Sequence, residues 1–134
     1  MTLVDTGPLV AIASARDQHH QLCVEQLRDL RPPLLTCWPV ITEAAWLLRH
    51  DASAVERLFR SFETGLLRLL ILDENAIRWL AKFLARFCKM GVQIADGALV
   101  YLAEREGIDT VFTLDRRDFS AYRLSDGRSL RVLP

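Results

Sequence analysis

The fold is decided by the segment that opens the chain, Thr2-Leu3-Val4-Asp5-Thr6-Gly7-Pro8. It ends a short apolar strand and starts a helix within a few residues. Asp5 follows the strand directly, Thr6 can cap a helix, and Pro8 suits a first helical turn. Small and apolar residues then continue the helix over Leu9–Ala15. A buried strand that turns at an acid into a helix is typical of parallel α/β sheets.

Strands and helices alternate along the rest of the chain. Apolar runs predict further strands at Leu34–Cys37, Leu66–Leu72 and Thr110–Leu114, and a short edge strand at Ser129–Leu133. Helical spacing predicts helices at His19–Leu30 and Val40–His50, one capped by Ser53 and Glu56 that ends at Gly65, one capped by Asp73 that runs through Met90, and one at Gln93–Glu106. This alternation predicts an α/β fold with a parallel sheet, formed as a single domain over residues 1–134.

Composition narrows the function classes. The chain has 17 basic and 17 acidic side chains, so its net charge is zero. Neutrality argues against a purely electrostatic nucleic-acid binder, but an RNA enzyme stays open because clustered acids can hide a basic remainder. The odd set of Cys23, Cys37 and Cys88, without CxxC spacing, predicts buried or half-buried thiols in a reducing compartment. With no signal peptide or membrane span in view, we expect a cytoplasmic protein.

Four carboxylates lie where a parallel sheet would bring them together: Asp5, Glu43, Asp96 and Asp115. Asp5 and Asp115 directly follow strands, and ligands bind at the carboxyl ends of strands in such sheets. Glu43 and Asp96 lie in early helical turns, whose N-termini point to the same edge. Clustered acids repel one another unless a cation is bound, and Mg²⁺ or Mn²⁺ prefers carboxylate oxygens. We therefore predict that these acids are catalytic, with Asp5, Asp96 and Asp115 as metal ligands.

Residues after the last of these acids have two interpretations each. Asp118 is either a fifth acid of the site or an exposed partner of Arg116 or Arg117. The two arginines either hold substrate phosphates or are solvated charges.

Two threonines and two tryptophans also have two interpretations each. Thr6 and Thr113 either bond to Asp5 or to a metal-bound water, or they satisfy backbone groups, which is the default for such residues. Trp46 and Trp79 could stack on bases, but both fall on apolar helical stripes, which predicts that they lie in the core.

Four short motifs, in order along nearly the whole chain, resemble those of the PIN domain family, and specifically of its VapC-type toxin ribonucleases. They are Val4-Asp5-Thr6-Gly7-Pro8-Leu9-Val10-Ala11, Ile41-Thr42-Glu43-Ala44, Ile94-Ala95-Asp96-Gly97-Ala98-Leu99-Val100 and Val111-Phe112-Thr113-Leu114-Asp115-Arg116-Arg117-Asp118-Phe119.

The resemblance implies a three-layer sandwich, with helices on both faces of a short, mostly parallel sheet. It also implies Mg²⁺- or Mn²⁺-dependent cleavage of RNA by the toxin of a type II toxin–antitoxin pair. Such toxins are homodimers held inactive by a small antitoxin that covers or enters the acidic site. Gly97 departs from the family pattern, which more often has Ala there, and the departure suggests a looser helix start.

Two other functions fit the same residues. The first is a non-catalytic PIN-like module that binds a basic partner peptide or RNA through its acidic pocket. The second is a receiver-like phosphoacceptor domain, which also gathers acids at strand ends. The second is disfavoured because the only lysines, Lys82 and Lys89, do not follow the last strands.

Overall fold

A computed structural model describes all 134 residues, with five strands and seven α-helices. The strands are β1 Leu3–Val4, β2 Leu34–Thr36, β3 Leu67–Leu69, β4 Thr110–Phe112 and β5 Arg131–Leu133. The helices are α1 Thr6–Ala13, α2 His20–Arg28, α3 Trp38–Leu47, α4 Ala52–Glu63, α5 Asn75–Arg86, α6 Ile94–Glu106 and α7 Arg116–Ala121, with a 3-10 turn at Cys88–Met90. None of these helices combines the length and the apolar character that crossing a bilayer requires.

The five strands form one parallel sheet in the order β3-β2-β1-β4-β5. The central strand, β1, is fully buried, and its Leu3 pairs with Leu35 on one side and with Val111 on the other. The direction in which strands are added reverses between β1 and β4, and ligands bind at such switch points in α/β sheets. The predicted α/β sandwich is confirmed, and the C-terminal edge strand is the fifth strand of the sheet.

The start of α4 differs from the prediction. The carboxylate of Asp51 accepts a hydrogen bond from the N–H of Ala54 at 3.1 Å, so Asp51 is the N-cap and the helix begins at Ala52. The prediction that Ser53 and Glu56 form a capping box at the start of this helix is therefore wrong. An acid two positions earlier already satisfies the free N–H groups of the first turn.

The long helix expected from Asp73 through Met90 is shorter. It begins at Asn75, its α-helical part ends at Arg86, and the 3-10 turn then leads to Gly91, which has a φ of 69°. Asp73 still accepts the N–H of Asn75 at 3.1 Å, so it satisfies the helix start from outside.

Two residues expected inside lie outside, and an apolar residue of α5 is exposed as well. Trp46 of α3 is 63% exposed, Cys88 is exposed in the 3-10 turn, and Ile77 of α5 is 66% exposed. Both helices carry apolar residues on more than one side. Helical spacing finds such stripes, but it cannot tell which of them faces the sheet.

Gly97 lets α6 pack closely against α5. A Cβ at this position would lie 2.9 Å from Leu80 Cδ2 and 3.1 Å from Phe83 Cδ1, closer than van der Waals contact allows. The glycine therefore leaves room for Leu80 and Phe83 of α5 against α6, while the looser helix start stays a prediction.

Candidate active site

A cleft of about 470 Å³ opens at the carboxyl ends of β1 and β4. All four acids singled out in the sequence line it, together with Asp118. The lining is Asp5, Thr6, Gly7, Glu43, Gly91, Gln93, Asp96, Leu114, Asp115 and Asp118. The strand order and the helix starts thus bring together acids that lie far apart in sequence.

Asp5 is fixed by both its main chain and its side chain. It N-caps α1, a position the sequence had suggested for Thr6, and its N–H donates to the carbonyl of Phe112 at 2.9 Å. The hydroxyl of Thr113 donates to Asp5 Oδ2 at 2.8 Å and accepts the N–H of Asp115 at 3.0 Å. Of the two interpretations of Thr113, the bond to Asp5 is therefore present, and the bond to a backbone group is present as well. Through both bonds Thr113 links the carboxyl ends of β1 and β4.

Burial makes the charge on Asp5 unfavourable. The side chain is only 7% exposed, and this desolvation is the main cause that raises the pKa of Asp5 to about 6. The hydrogen bond from Thr113 lowers the pKa, while the charges of Glu43 and Asp115 raise it further. A metal-free cleft therefore holds Asp5 partly protonated near neutral pH.

Asp96 lies in the first turn of α6, half-buried. Desolvation and then the charge of Asp5 raise the pKa of Asp96 to about 7, against the opposing hydrogen bond that Tyr122 donates to its Oδ2 at 2.8 Å. Burial and the neighbouring carboxylate in turn raise the pKa of Tyr122, which stays a neutral donor. The sequence reasoning missed Tyr122, and its only signal is that a wholly buried tyrosine needs a partner for its hydroxyl.

Three carboxylates come closest to a metal-binding arrangement. One oxygen each of Asp96, Asp115 and Asp118 lies within 4.8 Å of the other two. Asp115 N-caps α7 and accepts the N–H of Asp118 at 3.3 Å, and both residues line the cleft. Carboxylate oxygens are hard donors that suit Mg²⁺ or Mn²⁺, so this donor set fits the expected ion.

Glu43 and Thr6 line the same cleft without protein partners. Glu43 is half-buried in α3, and burial, followed by the charge of Asp96, raises its pKa. The hydroxyl of Thr6 is buried and makes no hydrogen bond to the protein. A buried polar atom without a partner is unusual in a folded protein and suits a site that takes up water or a ligand.

The two arginines proposed as phosphate contacts do not line the cleft. Arg116 donates a hydrogen bond to the carbonyl of Pro134, which draws it towards the C-terminus. Arg117 is exposed, and its charge opposes the burial that raises the pKa of Asp118. The structure thus brings the acids together, but it does not bring these cations among them.

Known proteins share both the sequence pattern and the fold. The PIN domain family model matches residues 2–124. Ribonuclease VapC26 of Mycobacterium tuberculosis is 29% identical over 134 residues, which are 98% of this chain and 99% of the relative. The crystal structure of M. tuberculosis VapC20, a toxin that cleaves the sarcin–ricin loop, superposes with a TM-score of 0.78 at 17% identity, over 87% of this chain and 92% of that one. The motifs, the sheet order and the family match agree, and the chain belongs to the PIN domain family.

Proposed function

We propose that this protein is a metal-dependent endoribonuclease and the toxin of a type II toxin–antitoxin pair. The observation that carries the proposal is the cleft in which Asp96, Asp115 and Asp118 hold oxygens within 4.8 Å of one another. The likeness to Ribonuclease VapC26 along almost the whole of both chains supports RNA as the substrate.

Asp5, Asp96 and Asp115 would hold Mg²⁺ or Mn²⁺, and Asp118 would be a further ligand because one of its oxygens lies within 4.8 Å of an oxygen of Asp96 and of Asp115. When bound, such an ion supplies charge stabilisation at the phosphate oxygens and activates water for hydrolysis. Tyr122 keeps Asp96 oriented by holding its Oδ2, and Thr113 does the same for Asp5. Both hydrogen bonds fix the carboxylates before substrate arrives, so little reorganisation is needed on binding.

Glu43 is suited to a different role. It makes no hydrogen bond or ion pair with the protein, and its raised pKa brings it nearer to the pH at which a carboxylate exchanges protons efficiently. We assign it the proton taken from the attacking water.

Metal removal tests the proposal directly. Purified protein incubated with Mn²⁺ and a mixture of transfer and ribosomal RNA should produce discrete fragments on a sequencing gel. EDTA should abolish cutting because the carboxylates then lack the ion they are arranged to hold, and excess Mn²⁺ should restore it. Cutting that persists unchanged in EDTA would contradict the proposal.

The toxin function also carries proposals for the domain, the compartment and the inhibitor of this protein. The protein acts as one nuclease domain over residues 1–134 in the cytoplasm, where its three free cysteines stay reduced. A small antitoxin inhibits it by placing a basic side chain among the acids of the cleft, where the uncompensated negative charge favours a cation.

We also propose a homodimer that forms through a broad apolar trough beside the cleft, here called the tryptophan trough. Its apolar lining is Trp38, Pro39, Trp46, Leu84, Val92, Ile94 and Ala95. Trp38, Trp46 and Ile94 are 53%, 63% and 56% exposed. A contiguous apolar surface of this kind on a soluble protein marks a protein–protein interface.

Replacing Trp46 with arginine should convert the dimer into a monomer. Loss of a buried aromatic anchor and insertion of a charge weaken association by at least roughly 30-fold, equivalent to about 2 kcal/mol. Light scattering after size-exclusion chromatography measures the mass. Ile77→Arg is the matched control, because Ile77 is 66% exposed but lies outside the trough. A dimer that survives Trp46→Arg would show that the trough is not the interface.

A further inference from the structure

The outer side of α5 and the turn after it carry four exposed cations, here called the α5 stripe: Arg78, Lys82, Arg86 and Lys89. Within α5 they recur every fourth residue, so their side chains project from one face of the helix. The stripe contains both lysines of a chain whose net charge is zero. Four of the 17 basic side chains therefore lie along one helix and the turn after it, while the cleft gathers five acids.

No acid of the protein neutralises the stripe. The four ion pairs of the structure involve none of its members. Glu104 lines the same cavity as Lys82 and Arg86, but its carboxylate accepts hydrogen bonds from Trp79 Nε1 at 3.1 Å and Ser125 Oγ at 2.9 Å. Like charges four residues apart on a helix repel, so the stripe lowers helix stability unless a polyanion covers it.

The stripe continues to the acidic cleft along the chain. Lys89 lies two residues before Gly91, and Gly91 lines the cleft. On the other side, Arg123 shares the cavity with Lys82 and Arg86, and it follows Tyr122, which bonds to Asp96. Arg123 Nη1 donates to the carbonyls of Ser120 at 2.6 Å and Tyr122 at 2.9 Å, so this cation is held in place.

We propose that the α5 stripe, with Arg123, binds the phosphate backbone of RNA and leads it into the acidic cleft. The choice of RNA as the polyanion rests on the ribonuclease function proposed above. Five acids line the cleft and repel phosphates, and neither Arg116 nor Arg117 lines it. A metal ion in the cleft would attract the phosphate that is cut, so protein cations outside the cleft are needed to hold the rest of the strand. Neighbouring members of the stripe lie about 6 Å apart along the helix axis, so one extended strand can contact several of them.

The test is RNA binding by the full chain in EDTA, where no cutting occurs. The probe is a fluorescein-labelled single-stranded oligouridylate, measured by anisotropy over a series of salt concentrations. The variant combines Arg78→Gln, Lys82→Gln and Arg86→Gln. The matched control combines Arg16→Gln, Arg28→Gln and Arg31→Gln, which are also exposed, make no ion pair, and change the net charge equally.

The stripe variant should bind at least about 10-fold more weakly at moderate salt. The slope of log affinity against log salt should flatten by about 2, because each phosphate contact to a single strand contributes about 0.7. The control should stay within about 2-fold of the parent. The melting temperature of the stripe variant should not fall, because removal of like charges relieves repulsion.

Three results would overturn the proposal: equal weakening in both variants, no weakening in either, or polyglutamate of matched charge that binds the parent as tightly as the oligouridylate. The last result would assign the stripe to an acidic protein. Cleavage in Mn²⁺ is a separate readout. If the parent cuts RNA while the stripe variant binds RNA normally, the stripe proposal is wrong and the ribonuclease proposal stands. If the parent binds RNA through the stripe but never cuts it, the ribonuclease proposal is wrong and the stripe proposal stands.

Discussion

Replacement of Asp96 with asparagine is expected to reduce RNA cleavage by more than about 100-fold. Loss of a residue that merely orients a metal ligand costs about 10- to 100-fold, and loss of a ligand charge should exceed that. Asparagine keeps the size of the side chain and an oxygen that can accept the hydrogen bond of Tyr122. The substitution therefore removes charge from the cleft without removing the contact that orients the residue.

The measurement is the initial rate of cutting of an end-labelled transcript in Mn²⁺. Glu106→Gln is the matched control, because Glu106 lies on the same helix and loses the same charge, but it is exposed and lines neither the cleft nor the cavity beside the α5 stripe. It should cut at nearly the parent rate. If Asp96→Asn cuts as fast as the parent, the acidic cleft is not where hydrolysis occurs.

Asp5→Asn should make the metal-free protein more stable near neutral pH while it abolishes cutting. The folded-state pKa of Asp5 is about 6, above the value of about 3.9 in an unfolded chain. Folding is therefore favoured while the carboxyl is protonated, and this contribution is lost as pH rises through about 6. Asparagine is always neutral and escapes the loss. The expected gain in unfolding free energy at about pH 8 is on the order of 2 kcal/mol.

Thermal melts in EDTA check this sign. The difference in melting temperature between variant and parent should be near zero at about pH 4, where both side chains are neutral, and should grow to several degrees by about pH 7. Asp109→Asn, at an exposed acid, is the control for net charge and should show no such growth. A variant that is less stable than the parent at all pH values would show that burial does not strain the Asp5 carboxylate.

The placement of the acids was predictable because local rules act on each of them. Asp5 follows an apolar strand and precedes a Gly-Pro helix start, and Asp115 follows another strand. In a parallel sheet, those positions can only meet at one edge. Their roles in catalysis stay predictions, while their position around one cleft is now a matter of geometry.

Other parts of the site depended on contacts that no local pattern specifies. Asp118 lines the cleft together with Asp115, which N-caps α7 and accepts the N–H of Asp118. Tyr122 reaches Asp96 from the end of that same short helix. A six-residue helix has too few turns for an apolar period to show which way it faces.

The exposed Trp46 on α3 shows a second limit of prediction from the sequence. Burial in the core and burial against a partner select for the same apolar side chains, so a stripe containing Trp46 looks alike in both cases. Only the position of the helix relative to the sheet separates the two, and that position is set by the whole fold.

The pairing of β1 with β4 also has a consequence for synthesis. Thr113 bonds to Asp5 across 108 residues of sequence, so Asp5 gains this partner only after β4 has been synthesised. A growing chain holds Asp5 on an incomplete sheet and lacks the acids contributed by β4 and α7. The cleft is therefore complete only once β4 and α7 have folded onto the sheet beside β1.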